Sequence, residues 1–320
     1  MDTIERKFSF TDFFENRSAF LGVLIILIGV TSSIIFKAFF TSINMKSLIL
    51  NFSTEAIVAI GMMMLLISGC FDLSAGSVFG LSGAIAAKMM YVYHYDVWIS
   101  VLSGILVCIA IGAFNGLLIA KVGVNPLIVT LAMMGLVRGF VRIVAGTGLI
   151  GFPAAFTNIA GITILGFRMP VWYMIFLTIL FSFLAAKTVF FRKYYYIGAN
   201  EQAARLTGIN VVKMRVISFM LMSGLAGLAG IIFSSRLESA LSTLGVGMEL
   251  RAITACVLGG ASLGGGQGGI LGAVLGTVFV AVINNLMIIG KVNTYWQRTV
   301  TGSILLTAVT IDALINRSRV

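Results

Sequence analysis

Apolar runs of about the length that crosses a hydrocarbon core as a helix, roughly 17 to 25 residues, follow one another along this 320-residue chain. They lie at 19–36, 54–71, 75–92, 97–120, 122–137, 170–186, 216–235, 252–264, 269–290 and 299–314, the eighth being short and glycine-ended. No aqueous fold could hide so much apolar surface. Hydrophobic residues make up 59% of the chain and charged residues 10%, against about a quarter charged in a soluble domain. The sequence predicts an all-α polytopic membrane protein of about ten transmembrane helices, with eight or nine as alternatives. The net charge of +11 is not a nucleic-acid footprint, because Lys and Arg punctuate apolar runs and build no basic face.

The head at 1–18 mixes Glu5, Arg6, Lys7, Glu15 and Arg17 and lacks an A-x-A site, so it reads as a cytoplasmic segment before an uncleaved first span. A transmembrane domain then occupies 19–314, and 315–320 is a short tail. Segment 187–215 carries Lys187, Arg192, Lys193, Arg205, Lys213 and Arg215 against the single acid Glu201. Basic loops resist translocation, which places this segment in the cytoplasm. Six spans before it and four after put both termini on the same side. By this topology 12 basic residues face in and 10 face out, including Lys37, Lys46, Arg138, Arg142 and Arg168. The one loop, not the sum, sets the orientation.

Glycines recur at spacings of four, as Gly76/Gly80, Gly112/Gly116, Gly135/Gly139 and Gly268/Gly272/Gly276, a pattern that lets helix backbones approach closely in lipid. Met62–Met64 reads as core filler. Asn115-Gly-Leu-Leu-Ile-Ala-Lys121-Val122 and Asn285-Leu-Met-Ile-Ile-Gly-Lys291-Val292 close the fourth and ninth runs. They would leave the membrane on opposite faces, a weak sign of the inverted repeats common in transporters.

Catalytic constellations are missing from the sequence. Cys70, Cys108 and Cys256 are scattered in or beside apolar runs, and the single histidine, His94, sits in a polar break, so no metal-ligand spacing exists. The glycine-rich run Gly259–Gly269 lacks the Gly-Lys-Ser/Thr of a phosphate loop; it reads as an irregular turn between helices. ATP hydrolysis is not expected of this chain. Ion coupling would need buried ionisable groups. The candidates are Glu55, Asp72 and Asp312, each near a run end where water can reach and none with an evident partner in its own run. Asp72 could cap the helix that follows, gate a pathway or couple protons. In the basic segment, Tyr196 to Asn210 reads as a short Ala-rich helix with Asn200 as its cap, bounded by Gly198 and Gly208. That is either a solvated loop obeying topology or a helix shaped to dock in a partner's groove.

Gln202-Ala203-Ala204-x-x-x-Gly208 resembles the EAA---G coupling signature of bacterial ABC-importer permeases, with Gln where Glu is usual. The longer Gly198–Asn210 stretch, Gly-x-Asn-Glu-x-Ala-Ala-Arg-Leu-x-Gly-Ile-Asn, is similar to the ribose-type sugar permeases. So are Ser68–Ser77, Asn115–Lys121, Asn125–Gly139 and the glycine-rich Val257–Gly269, in matching order from about residue 50 to 312. Two departures stand out: Phe191-Arg-Lys-Tyr-Tyr-Tyr196 occupies a place where a Gly-Arg pair is common, and Ala75 replaces a frequent Val.

The resemblance implies a type II importer fold in a bacterial inner membrane, with two permease subunits per transporter. It implies a cytoplasmic ABC ATPase partner and an extracytoplasmic sugar-binding protein, with ATP and magnesium on the ATPase and no cofactor or metal in this chain. Gly198, Asn200, Glu201, Gln202, Ala203, Ala204, Leu206, Gly208 and Ile209 would then form the ATPase-coupling segment. Asp72, Ser74, Asn115, Thr130 and Asn284 are pathway or gating candidates by position, with hydrogen bonding between helices as their structural alternative. The expected cargo is a monosaccharide or a related sugar-like solute, of ribose or autoinducer type. The alternative is a proton-coupled secondary sugar transporter working through Asp72 or Glu55.

Overall fold

Without water, a chain that crosses lipid must satisfy its backbone N–H and C=O groups internally, and a helix does so within one segment. The structure, a computed structural model, describes residues 17–317; the head at 1–16, residues 318–320 and the side chain of Asp312 lie outside the described residues. Within them run α1 (Arg17–Ile35), α2 (Ser42–Ile67), α3 (Ala75–Tyr91), α4 (Val97–Leu117) and α5 (Pro126–Ala145). Then come α6 (Ala154–Gly161), α7 (Met169–Lys187), α8 (Val189–Ala199) and α9 (Glu201–Leu206). The last four are α10 (Val211–Leu237), α11 (Met248–Leu258), α12 (Ile270–Ile289) and α13 (Thr294–Arg317). Six are long and apolar enough to cross a membrane: α2, α4 with its π-helical extension to Val122, α5, α7, α10 and α12. The protein is a multi-pass, predominantly helical membrane protein.

Several boundaries differ from the sequence expectation for identifiable reasons. The run expected from 54 begins at Ser42, because the Thr41 hydroxyl caps the helix by accepting from the Asn44 amide and the polar turns around Lys46 and Asn51 stay helical. The run expected at 122–137 is shifted to α5. There Asn125 accepts from the Leu127 amide at 2.8 Å, and Pro126 pre-sets the first turn. That helix continues past Arg138, whose guanidinium donates to the Leu244 carbonyl at 2.6 Å. The short eighth run is α11, which stops at Leu258 where the glycine-rich turn begins.

α2 is the central post. Its side chains from Ala56 to Ile67, Met62–Met64 included, are fully buried, as expected of a helix that is apolar on every face. Around it pack α7, α8, α10, α11 and α12. Neighbour relations in the two halves correspond: α3 and α4 lie against α10, while α11 and α12 lie against α2; α3 packs on α5, and α11 on α13. The 170-residue offset from Asn115 to Asn285 also takes Ile67 to Leu237, the last residues of α2 and α10.

Glycine spacing serves this packing at Gly112 and Gly116, which lie against α10; a Cβ on Gly116 would come within 2.7 Å of the Val216 Cα. Gly135 and Gly139 do not follow. Among the described residues nothing lies within 4 Å of where a Cβ on either would sit, so that pair closes no contact within the described bundle. Short ladders, Leu149–Ile150 with Ser239–Ala240 and Thr163–Ile164 with Phe167–Arg168, tie the loops together. His94 is exposed between α3 and α4.

Candidate functional site

The basic segment forms two short helices whose limits follow from capping. Thr188 opens α8, which lays Phe191, Tyr194 and Ile197 onto the bundle. Asn200 is extended and caps α9, its side-chain oxygen accepting from the Ala203 amide at 2.9 Å. At the other end Gly208 takes φ +82, its amide reaching the Arg205 carbonyl and that of Ile209 the Ala204 carbonyl. That is a Schellman close, which needs a residue tolerant of the left-handed region. The Asn-x-x-x-Ala-Arg-Leu-x-Gly-Ile pattern is thus the specification of one capped helical turn and a half. Ala204 faces inward, Gln202 and Ala203 outward, and Leu206 is 90% exposed.

Two further contacts fix this segment. Glu201 bonds Arg205 at 2.7 Å and Arg215, in the first turns of α10, at 2.5 Å. Burial alone would raise the Glu201 pKa, but the two guanidiniums outweigh it and hold the carboxyl below its ordinary value. Gly198, the penultimate residue of α8, sits where a Cβ would run into the Ile67 carbonyl and the Gly266 amide. Those two groups bond each other at 2.9 Å, and the Tyr195 hydroxyl donates to the Gly268 carbonyl at 3.1 Å. The glycine-rich run is therefore an irregular turn, as expected. It wedges between the end of α2 and the end of α8 at Gly198.

Asp72, Ser74 and Asn115 come together in the buried break between α2 and α3. Asp72 accepts from the Ser74 amide at 2.7 Å and the Ser74 hydroxyl at 2.6 Å, while the Asn115 amide donates to that hydroxyl at 3.2 Å. Two expectations change here. Asp72 does not cap α3 directly but holds Ser74, the residue before it. It is also fully buried rather than within reach of water. Thr130 stands apart, its hydroxyl returned to the Pro126 carbonyl of its own helix.

Asn284 lies elsewhere again, on a cavity of about 550 Å³ between α2, α10, α11, α12 and α13. Glu55 lines it and pairs with Arg251 of α11 at 3.0 Å, a partner that no reading within one run could have found. Because α2 runs from this cavity to the Ile67 junction, the cavity occupies the end of the bundle opposite segment 198–209. Arg215, Tyr195 and Arg251 were not expected as site residues. Only Arg215 left a trace in the sequence, as one of the clustered basic residues. Among the described residues no group of three or more His, Cys, Asp or Glu comes together.

Similarity to other proteins covers the whole bundle. The L-arabinose ABC transporter permease protein AraH of Azospirillum brasilense is 36% identical over 298 residues, 93% of this chain and 87% of that protein. The ribose import permease protein RbsC of Escherichia coli K12 is 35% identical over 319 residues, 97% and 98% of the two chains. The autoinducer 2 import system permease protein LsrC of Salmonella paratyphi B is 32% identical over 274 residues, 84% and 79%. No solved structure matches. The family model described as branched-chain amino acid transport system / permease component matches residues 44–309, and the chain belongs to that permease family.

Proposed function

We propose that this chain is the membrane-spanning subunit of an ATP-driven importer that moves a monosaccharide or related sugar-like solute across a bacterial inner membrane. The observation that carries the reading is the coupling segment: an exposed, doubly capped helical turn, wedged through Gly198 against α2 and clasped through Glu201 to α10. A load on that turn reaches two long helices directly. The relatives' names, which cover arabinose, ribose and autoinducer 2 import, support a sugar-like cargo. ATP and magnesium belong on a cytoplasmic ATPase docked at 198–209, and an extracytoplasmic binding protein delivers the solute. The open face of α5 around Gly135 and Gly139, with exposed Leu131 and Phe140, suits a second permease copy or paralogue.

In this reading ten helices, α1 to α5, α7 and α10 to α13, pass through the membrane, with both termini and 187–215 in the cytoplasm. The matching neighbour relations of α2–α5 and α10–α13 support an inverted repeat. Asp72, Ser74 and Asn115 brace the α2–α3 break beside the pathway. Reconstituted with its ATPase and binding protein, the chain takes up solute only with ATP and continues when the proton gradient is collapsed. Accumulation by the chain alone under a pH gradient would overturn the proposal in favour of proton-coupled transport.

A further inference from the structure

We infer that the cavity between α2 and α10–α13 is a subsite of this subunit for a neutral polyhydroxylated solute; the inference rests on the importer reading and adds a binding role to the permease itself. Ionisable side chains inside membrane-spanning helices are costly and, where present, face partners or water-filled pathways. Glu55 and Arg251 do both. Their side chains are 23% and 30% exposed, and the exposure is to the cavity. A purely structural pair would be aligned so that each N–H meets an oxygen. Here Arg251 Nε lies 3.0 Å from Glu55 Oε1 but its N–H has no aligned acceptor. The pair holds the two charges in place; Arg251 Nη2 donates to the Met248 Sδ at 3.9 Å, while Nε, Nη1 and the Glu55 carboxylate make no hydrogen bond among the described residues.

The other walls complete a set suited to sugar hydroxyls, each of which donates once and accepts twice. Asn284 and Gln297 line the cavity with amides that make no side-chain hydrogen bond among the described residues, and Phe52 supplies an apolar face. Arg236 is already engaged, donating to the Leu50 carbonyl at 3.0 Å and lying over the Phe233 ring. Of the described charges on the cavity, Glu55 and Arg251 cancel and Arg236 leaves one positive charge, held on the Leu50 carbonyl and the Phe233 ring; the neutral assignment rests on the amides of Asn284 and Gln297 beside the Glu55 carboxylate, a set that serves hydroxyls. A volume near 550 Å³ falls in the range of about 300–1,000 Å³ typical of small-molecule sites.

Saturation-transfer NMR on the purified full-length chain in lipid nanodiscs, with D-ribose, L-arabinose and D-allose as probes, tests this directly. Transfer to at least one aldose is expected, weakened by about tenfold in Glu55→Gln and Asn284→Ala, the scale of losing a hydrogen bond to a charged or buried group. Should Glu55→Gln fail to fold, Asn284→Ala carries the test, since its amide holds no contact that the bundle needs. Absence of transfer to all three sugars, or equal transfer in wild type and variants, overturns the subsite. Stronger transfer to an aldonate than to its aldose overturns the neutral assignment. ATP-dependent uptake by the assembled transporter, measured in parallel, separates the two readings. If it persists while transfer is absent, the subsite alone fails; solute uptake without the ATPase defeats the importer reading.

Discussion

Glu201 shows how one side chain decides whether a surface turn is part of the bundle. Its carboxylate joins Arg205 on its own turn to Arg215 on α10, so Glu201→Ala should free the turn at a cost of about 1 kcal/mol, the upper range for exposed pairs. Hydrogen exchange at Ala203–Ile209 would report the loosening. Because the folded pKa lies below the ordinary 4.5, this contribution is fully present above that value and fades as pH falls through the folded pKa. The exchange difference between wild type and Glu201→Gln should therefore be flat from about pH 8 to pH 6 and vanish in acid. Gly198 makes the opposite demand, for the absence of a side chain. Gly198→Ala presses a methyl group onto backbone atoms at the Ile67–Gly266 junction and should destabilise the protein by about 1–3 kcal/mol, read as a lowered thermal midpoint. Glu201 was legible in the sequence as part of a motif. Its second partner was not, because Arg215 lies beyond a turn whose direction only the Gly208 close determines.

Elements were legible wherever local chemistry alone set their limits. α9 is the clearest case: an Asn cap and a C-terminal Gly bound it, the first acting through its side-chain oxygen and the second through its freedom at positive φ. Gly208→Val places a β-branched residue at φ +82, where L-residues are disfavoured by roughly 1–2 kcal/mol. It should fray α9 and reduce ATPase capture by the purified chain, while circular dichroism of the bundle stays unchanged. Capture equal to wild type would show that the turn's shape is irrelevant to docking. α5 and α2 were misjudged for the converse reason. Hydropathy ended the α5 run at Arg138 and started the α2 run after Lys46 and Asn51, but a helix ends only where its backbone bonds end. Arg138 is carried within α5 because Leu244, more than a hundred residues away, offers it a carbonyl. Asp72 was misjudged in the same way, since its burial is set by α3, α4 and α11 closing around the break.

For the molecule as a whole, three of the ten basic residues expected on the side away from 187–215 have a structural explanation. Arg138, Arg236 and Arg251 are bound to Leu244, Leu50 and Glu55; they serve the tertiary structure and carry little information about orientation. The helical, multi-pass character could be read from apolar periods alone, whereas the cavity could not, since its walls come from five helices far apart in sequence. The unpartnered glycines of α5 make a prediction on this scale. Replacing Gly135 and Gly139 with Leu should leave the thermal midpoint of the isolated subunit nearly unchanged, within about 0.5 kcal/mol, while light scattering shows loss of the permease dimer. α10 ties these levels together. It is unbroken from Val211 to Leu237, hence a rod of about 40 Å, with Arg215 secured near one end and Arg236 near the other. Pivoting such a rod by about 5° at its clasped end sweeps Arg236 sideways by roughly 3 Å, the length of a hydrogen bond. The bundle thus has the mechanical advantage of a lever, and its stroke at the cavity is set by the stiffness of one helix.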